Sequence, residues 1–303
     1  MSRFVIIGPN GFLAKNFIKY LKDINYNFTL INFRKIFNDS EMSDELKKKI
    51  ILSQLKIDDT IIFFSSPAHN SVKKKEINKF FLNFQLFLEA LGFIKINKII
   101  YLSSFKVIDE NSDKRILNSN SIVNPQTYYG NYKYKSEKIL KDYAIKYKFN
   151  YISLRVPLVI GEGVKGNFKK LIKYIKFGLP LPKKLLLSKR NFISTNNLNK
   201  IIIKISDNNK LNNLTLSVHD GNNYSMIEII KIICLSINKK PTFITSDLFN
   251  NSIKWLFKNT SIYKKIFSNF VIDCSKDLES INYIPQNDIY DEIFKINKSL
   301  DNE

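Results

Sequence analysis

The sequence predicts an α/β fold: a doubly wound parallel sheet with a smaller C-terminal lobe. Three observations predict it. Short apolar runs alternate with longer helical periods through the first half of the chain. A glycine turn joins the first apolar run to the first helical one. After about residue 160 the alternation loosens, as expected where a second lobe begins. At 303 residues and 44% hydrophobic content, the chain has the length and apolar surface for one large domain or two lobes.

Taken in order, residues 4–7 form an unbroken apolar strand of the kind that is covered on both faces. Residues 12–22 follow as a helix, and 28–33 as a second strand. A third strand, 60–64, follows the polar pair Asp58 and Asp59. Residues 77–91 are helical, because Phe80, Phe81, Phe84, Phe87, Leu88 and Leu91 recur at three- and four-residue intervals. A strand at 98–102, a helix at 132–147 and a strand at 151–155 continue the alternation, with right-handed crossovers expected. Beyond them come a helix at 167–177, a turn at 178–182, a helix at 196–205, a strand at 214–218 and a helix at 225–237. This reading puts 1–160 in a first domain, with 190–218 returning to it. Residues 161–189 and 219–303 form the lobe, expected over the carboxyl ends of the strands, where open α/β sheets bind ligands.

The net charge of +21 comes almost entirely from lysine scattered among asparagine and isoleucine. That pattern reads as compositional drift, with an anionic substrate or membrane surface as the alternative; no nucleic-acid partner is expected. Two cysteines and two histidines without ligand spacing predict no metal site, and reduced thiols in a cytoplasmic protein. The chain runs almost directly into an apolar strand without a signal-peptide pattern, and no apolar run approaches the ~20 residues of a membrane span.

The turn Gly8-Pro9-Asn10-Gly11-Phe12-Leu13-Ala14 makes the first domain Rossmann-type. Gly8 permits the tight turn and Gly11 close approach of backbone to a pyrophosphate. Ala14 is small enough for helix–strand packing, and the helix N-terminus favours the phosphate charge. At the end of the second strand, Asn32-Phe33-Arg34-Lys35 offers no acid for a ribose hydroxyl. Arg34 instead suits a 2′-phosphate, which favours NADP over NAD.

The segment Asn124-Pro-Gln-Thr-Tyr-Tyr-Gly-Asn-Tyr-Lys-Tyr-Lys-Ser-Glu137 places Tyr129 and Lys133 on one helix face. A tyrosine beside an ammonium suits proton transfer to or from a sugar hydroxyl. With 15 tyrosines in a lysine-rich chain, roughly two such spacings arise by chance. Two occur, Tyr129/Lys133 and Tyr134/Lys138, so context has to choose between them.

That context resembles the extended short-chain dehydrogenase/reductase family, in its branch of nucleotide-sugar epimerases, dehydratases and 4-keto reductases. The glycine turn is similar to Gly-x-x-Gly-x-x-Gly/Ala, and TIIFFSSPAH (60–69) to the third core strand and its loop. IIYLSSFKV (99–107) resembles the strand ending in the catalytic serine or threonine. NPQTYYGNYKYKSE resembles the Tyr-Gly-x-x-Lys helix, and ISLRVPLVIG (152–161) the strand whose following backbone meets the nicotinamide. GVKGNFKKLIKYIKFGLPLP (163–182) is similar to the substrate loop of a subgroup handling UDP-N-acetylhexosamines. All nine glycines fall where the resemblance expects one. The chain departs from the family pattern at Tyr132, where serine is usual, at Asn196 for aspartate, and at Asn191 for serine or a similar residue.

The resemblance implies Tyr129 as general acid or base. Lys133 tunes Tyr129 and holds the nicotinamide ribose, and Ser104 hydrogen-bonds the reacting hydroxyl or carbonyl. Gly8, Asn10, Gly11, Phe12, Leu13, Arg34, Ser65, Lys133 and Pro157 would contact NAD or NADP. Asn167 and Arg190 would hold the diphosphate of a nucleotide sugar, and His69 is a loop residue. Free tyrosine titrates near 10, so working near neutrality takes about 4 kcal/mol. An ammonium about 4 Å away, at an effective dielectric of about 20, contributes on the order of 4 kcal/mol, so Lys133, helped by a positive nicotinamide, would supply the shift.

The expected function is epimerisation or 4-keto reduction at C4 of a UDP-hexose or UDP-N-acetylhexosamine, for surface polysaccharide synthesis. One alternative is a 4-epimerase of a lipid-diphosphate-linked sugar, docked on a membrane through the aromatic and basic segment 249–270. Another is a non-catalytic NADP-binding regulator, which the presence of both Tyr129 and Lys133 disfavours. Family analogy also implies a homodimer through helices 77–91 and 132–147.

Overall fold

Five parallel pairings build the main sheet. A computed structural model describes residues 3–65, 74–108, 117–257 and 269–301. In chain order the first half contains β1 (Phe4–Ile7), α1 (Phe12–Asp23), β2 (Phe28–Ile31), α2 (Phe33–Asn38), α3 (Asp44–Gln54), β3 (Thr60–Phe63), α4 (Lys74–Leu91), β4 (Lys98–Ser104), α5 (Tyr128–Tyr147) and β5 (Tyr151–Val156). Then follow β6 (Leu158–Ile160), α6 (Asn167–Lys176), β7 (Leu181–Pro182), β8 (Lys189–Ser194), α7 (Thr195–Asp207), β9 (Leu214–Ser217), β10 (Asn223–Ser225), α8 (Met226–Ser236), β11 (Phe243–Ile244), α9 (Asp247–Phe257), α10 (Ser275–Ser280) and α11 (Ile289–Asp301).

The six strands run β2-β1-β3-β4-β5-β9, all parallel. Their order reverses at β1/β3, the switch point beyond whose carboxyl ends such sheets bind ligands. β1, β3 and β5 are buried at every position, so their near-continuous apolar sequences follow from helices covering both faces. On one face Phe33, Phe63, Phe80, Phe84 and Phe87 form an aromatic cluster; the Phe63 and Phe84 ring centres are 4.8 Å apart. Helix α5 joins it through Tyr132, 5.3 Å from Phe80 and 5.4 Å from Phe81. Tyr132, the departure from serine, is therefore a core residue between α4 and α5.

The chain divides into two compact units, and the expected boundaries need two corrections. The first unit is residues 1–157, 198–218 and 274–283; the second is 158–197, 219–273 and 284–303. Residues 190–197 belong to the second unit because β8 is the middle strand of a small sheet, β10-β8-β6. Residues 274–283 belong to the first unit because α10 docks beside β9. There the Asp277 carboxylate accepts from the Ser217 backbone N–H at 2.9 Å and from the Ser119 hydroxyl at 3.3 Å. A parallel pair, β7-β11, also lies in the second unit.

Lys98 opens β4 fully buried and donates to three backbone carbonyls, those of Ile205 (3.1 Å), Asn208 (2.7 Å) and Leu211 (2.9 Å). It caps the C-terminal end of α7, where carbonyls lack intrahelical partners and negative partial charge collects. Burial pulls its pKa down to about 8, with Asp207 acting the other way. Lys98→Met strands these carbonyls and is expected to lower stability by about 3 kcal/mol. An unchanged urea-unfolding midpoint would show that the cap is dispensable.

Candidate active site

Tyr129 stands in the first turn of α5. The sequence periodicity starts this helix at 132, but the Thr127 hydroxyl caps it by accepting from the Gly130 N–H at 3.0 Å, so it begins at Tyr128. Gly130 is required by close packing: a Cβ there would lie 2.1 Å from the Lys106 carbonyl oxygen. The contact holds the start of α5 against the 3₁₀ turn Phe105–Val107 that follows β4. Ser104 ends β4 and caps that turn, accepting from the Lys106 N–H at 3.3 Å.

These elements bring Ser104, Tyr129 and Lys133 together. The Ser104 hydroxyl lies near enough to the Tyr129 hydroxyl to favour its ionised form. The Lys133 ammonium is buried, donates to the Leu102 carbonyl at 2.6 Å, and lies 5.8 Å from the centre of the Tyr129 ring and 4.8 Å from that of Tyr101. Ser104, not Ser103, faces the tyrosine. By contrast, Tyr134 and Lys138 only stack on each other at 4.6 Å.

Burial dominates the electrostatics of both groups. Burial pushes Tyr129 up to about 12, and the nearby Ser104 hydroxyl opposes this only in part. Burial also brings Lys133 down to about 7, with the Glu137 carboxylate as the opposing influence. Desolvation is the leading influence on both groups, and Lys133 donates to the Leu102 carbonyl. The lysine by itself does not bring Tyr129 to neutrality.

Around the glycine turn, Gly8 has φ +82°, and a Cβ on it would lie 2.8 Å from the Ser65 Cβ and 2.9 Å from the Ser65 backbone. Gly8 thus lets the ends of β1 and β3 meet, and Ala14 is fully buried in the following helix. Gly11 differs. Its φ is an ordinary −73°, it caps α1 without a side-chain bond, and a Cβ on it would find nothing nearer than 3.8 Å. Internal packing does not require this glycine, the helix start is uncapped by any side chain, and its first turn holds no acid. These residues fit a dinucleotide pyrophosphate. Asn10, Phe12 and Leu13 belong to the same turn and helix start. Arg34 is exposed in the first turn of α2, Ser65 is buried just past β3, and Pro157 follows Val156, the register partner of Ser104. Gly11→Ala is expected to leave the thermal midpoint unchanged while weakening NAD(P) binding about tenfold or more, a loss of about 1.4 kcal/mol. Calorimetric titration of cofactor into both proteins measures it.

The second unit holds Asn167, exposed at the start of α6, and Arg190 on β8. Two departures from the family pattern are accounted for here. Asn191 is buried, accepts from the Ile272 N–H and donates to the Asn223 side chain, each at 2.7 Å. Asn196 donates to Asp288 at 2.7 Å. His69 and residues 258–268 of the aromatic, basic segment lie outside the described residues. Among the described residues no cluster of three or more His, Cys, Asp or Glu could hold a metal, and no helix is long and apolar enough to cross a membrane. Cys234 and Cys274 are both buried and unbridged.

Sequence reading missed a buried ionic group behind the pair. Glu137, one turn after Lys133, accepts from Arg155 Nε at 3.0 Å and Nη2 at 2.7 Å, and from the Ser103 hydroxyl. The four-residue spacing from Lys133 to Glu137 was its only signal; nothing local marks Arg155.

Fold and site together define a Rossmann-type protein of the extended short-chain dehydrogenase/reductase class. The sequence profile of the NAD dependent epimerase/dehydratase family matches residues 4–215, and the chain belongs to that family. A UDP-glucose 4-epimerase of Vibrio cholerae is 26% identical over 193 residues; the match spans 63% of this chain and 59% of that enzyme's length. Among solved structures, UDP-glucose 4-epimerase of Thermotoga maritima, with UDP-glucose, superposes with a TM-score of 0.76 at 15% identity, covering 99% of both chains. UDP-N-acetylglucosamine 4-epimerase of Bacillus cereus gives 0.75 at 17% identity, again over 99% of both. RMD of Pseudomonas aeruginosa, complexed with NADPH, gives 0.75 at 14% identity, over 100% of this chain and 99% of that one.

Proposed function

We propose that this protein is an NAD(P)-dependent epimerase or 4-keto reductase acting at C4 of a UDP-hexose or UDP-N-acetylhexosamine, in surface polysaccharide synthesis. The convergence of Ser104, Tyr129 and Lys133 where β4 ends and α5 begins carries this reading. The names of the relatives, 4-epimerases of UDP-glucose and UDP-N-acetylglucosamine, support the substrate class. Bound NAD(P) would supply the hydride acceptor and donor, held by the Gly8–Leu13 turn, Ser65, Lys133 and Pro157, with Arg34 favouring the 2′-phosphate form. Tyr129 would take the proton from the sugar hydroxyl or return it to the ketone, and Ser104 would hydrogen-bond that oxygen. Asn167 and Arg190 are assigned to the sugar diphosphate.

The test incubates the protein with UDP-glucose, UDP-N-acetylglucosamine and their 4-keto forms, with NADH or NADPH, and identifies products by mass and NMR. Inverted C4 with unconsumed cofactor defines an epimerase; a reduced ketone with consumed cofactor defines a reductase. No change in any of these substrates would reject the reading.

A second reading, a 4-epimerase of a lipid-diphosphate-linked sugar at a membrane, is favoured by α9, where Leu248 is 83% and Trp255 71% exposed. Salt-sensitive co-sedimentation with anionic vesicles, lost on deleting 249–270, would support it, and no co-sedimentation would count against it.

A further inference from the structure

We propose that Arg155 is a positioning residue that holds the Tyr129 end of α5 against Ser104. This role presupposes the reacting site of Ser104, Tyr129 and Lys133 proposed above, and adds to it the device that sets its spacing.

Arg155 is buried near the carboxyl end of β5, and its guanidinium reaches both segments that flank Tyr129. Nε and Nη2 donate to the Glu137 carboxylate at 3.0 and 2.7 Å, and Glu137 lies further along the helix that carries Tyr129. Nη1 donates to the Ser119 carbonyl at 3.2 Å, on the segment that leads into that helix. The Glu137 carboxylate also accepts from the Ser103 hydroxyl, which ties the helix to the residue next to Ser104. Arg155 is the register partner of Ser103 on β4 and of Ser217 on β9, so the clamp is rooted in three paired strands. The Ser217 N–H and the Ser119 hydroxyl meet in turn at Asp277, which anchors the Ser119 segment a second time.

Side-chain packing does little to hold that segment. Among residues 117–127 only Leu117 is buried. Polar and backbone contacts fix it instead: Arg155 and Asp277 at Ser119, the bridge between Ile108 and Val123, and the Thr127 cap. Stability alone is a poor reason to bury such a pair, because replacing a buried ion pair with well-packed apolar residues is often neutral or stabilising. Placement is a better one. The partners of Arg155 lie on the two sides of Tyr129 and next to Ser104, and a planar fork with fixed donor directions holds several partners at set distances. A lysine ammonium at 155 has no such fork and cannot make this set of bonds.

The test is Arg155→Lys, which keeps a charge for Glu137 and gives up the fork. Turnover is expected to fall about tenfold to a hundredfold, with KM within about twofold of the parent. The same substitution in a Tyr129→Phe background is expected to lower the residual rate by less than about twofold, because the arginine acts through the tyrosine it places. Equal losses in the two backgrounds would mark a merely structural residue and overturn the proposal. Hydrogen exchange in cofactor-free protein gives a readout that needs no activity. Exchange across residues 117–132 should rise about tenfold or more, while β1 and α1 keep the protection of the parent. A folded variant with unchanged turnover, or with unchanged exchange across 117–132, overturns the proposal. If Arg155→Lys does not fold, Glu137→Leu with Arg155→Met replaces it, with the same expected and overturning results. Failure of both to fold would make the clamp a requirement of folding and overturn it as a positioning device. If the parent itself is inert toward every nucleotide sugar, the proposed function fails and exchange alone decides: a rise confined to 117–132 leaves Arg155 as the holder of this segment, and no rise overturns it.

Discussion

Tyr129→Phe is expected to lower turnover by about 10³-fold while leaving NAD(P) affinity and thermal stability near those of the parent. General acid–base groups contribute about 10² to 10⁴, and the substitution removes only the hydroxyl, whose ionised form the nearby Ser104 favours. The ring, its packing and Lys133 remain. Turnover within about threefold of the parent would sink the assignment of Tyr129 as proton carrier, since a tenfold rate change corresponds to about 1.4 kcal/mol. The raised titration of Tyr129, about 12, gives the experiment a second readout. The free protein should show no tyrosinate absorbance from this residue at neutral pH, so any that appears on adding oxidised cofactor must vanish in the Phe variant.

Gly130→Ala, next to it, is expected to act on the fold first. An added Cβ would lie 2.1 Å from the Lys106 carbonyl oxygen and 3.0 Å from Pro125 Cβ. The nearest obstacle is backbone and cannot rotate away. Either the first turn of α5 or the turn after β4 has to move, at a cost of about 3 kcal/mol or more. Both carry site residues, so activity should fall with stability. A urea midpoint within error of the parent would mean that the two segments are not held as tightly as the geometry states. Gly11→Ala makes the informative contrast, because no protein atom lies near enough there to be displaced.

The contrast marks what the sequence could and could not reveal. The strands were legible because FVII, TIIF and YISLRV are apolar at every position, which a doubly covered parallel sheet demands. The Tyr129–Lys133 register and Ser104 were legible from spacing and from the surrounding segments. α3 was not, because its buried positions are only Lys47 and Ile51, and its apolar residues Ile50, Ile51 and Leu52 are adjacent rather than spaced at helical intervals. β6, β8 and β10 were missed because strands of three to six residues carry little periodicity of their own. Two points of physics were hidden as well. Sequence showed a lysine near a tyrosine but not the burial that raises one and lowers the other. Nor did it show Arg155 reaching Glu137, a contact made only once β5 lies beside β4.

The Asp277 bonds to Ser217 and Ser119 carry a consequence for how the protein is made. A chain emerging from the ribosome at about 5–20 residues per second presents β1 to β5 long before residue 277 appears. The end of β9 and the Ser119 side chain therefore wait for Asp277 until nearly all of the chain has been translated. A fragment ending near residue 160, the natural place to cut from the amino acid pattern, would never receive that closing clasp. It would be a nascent intermediate in permanent form, and its exposed strand edge would make it the species most in need of a chaperone.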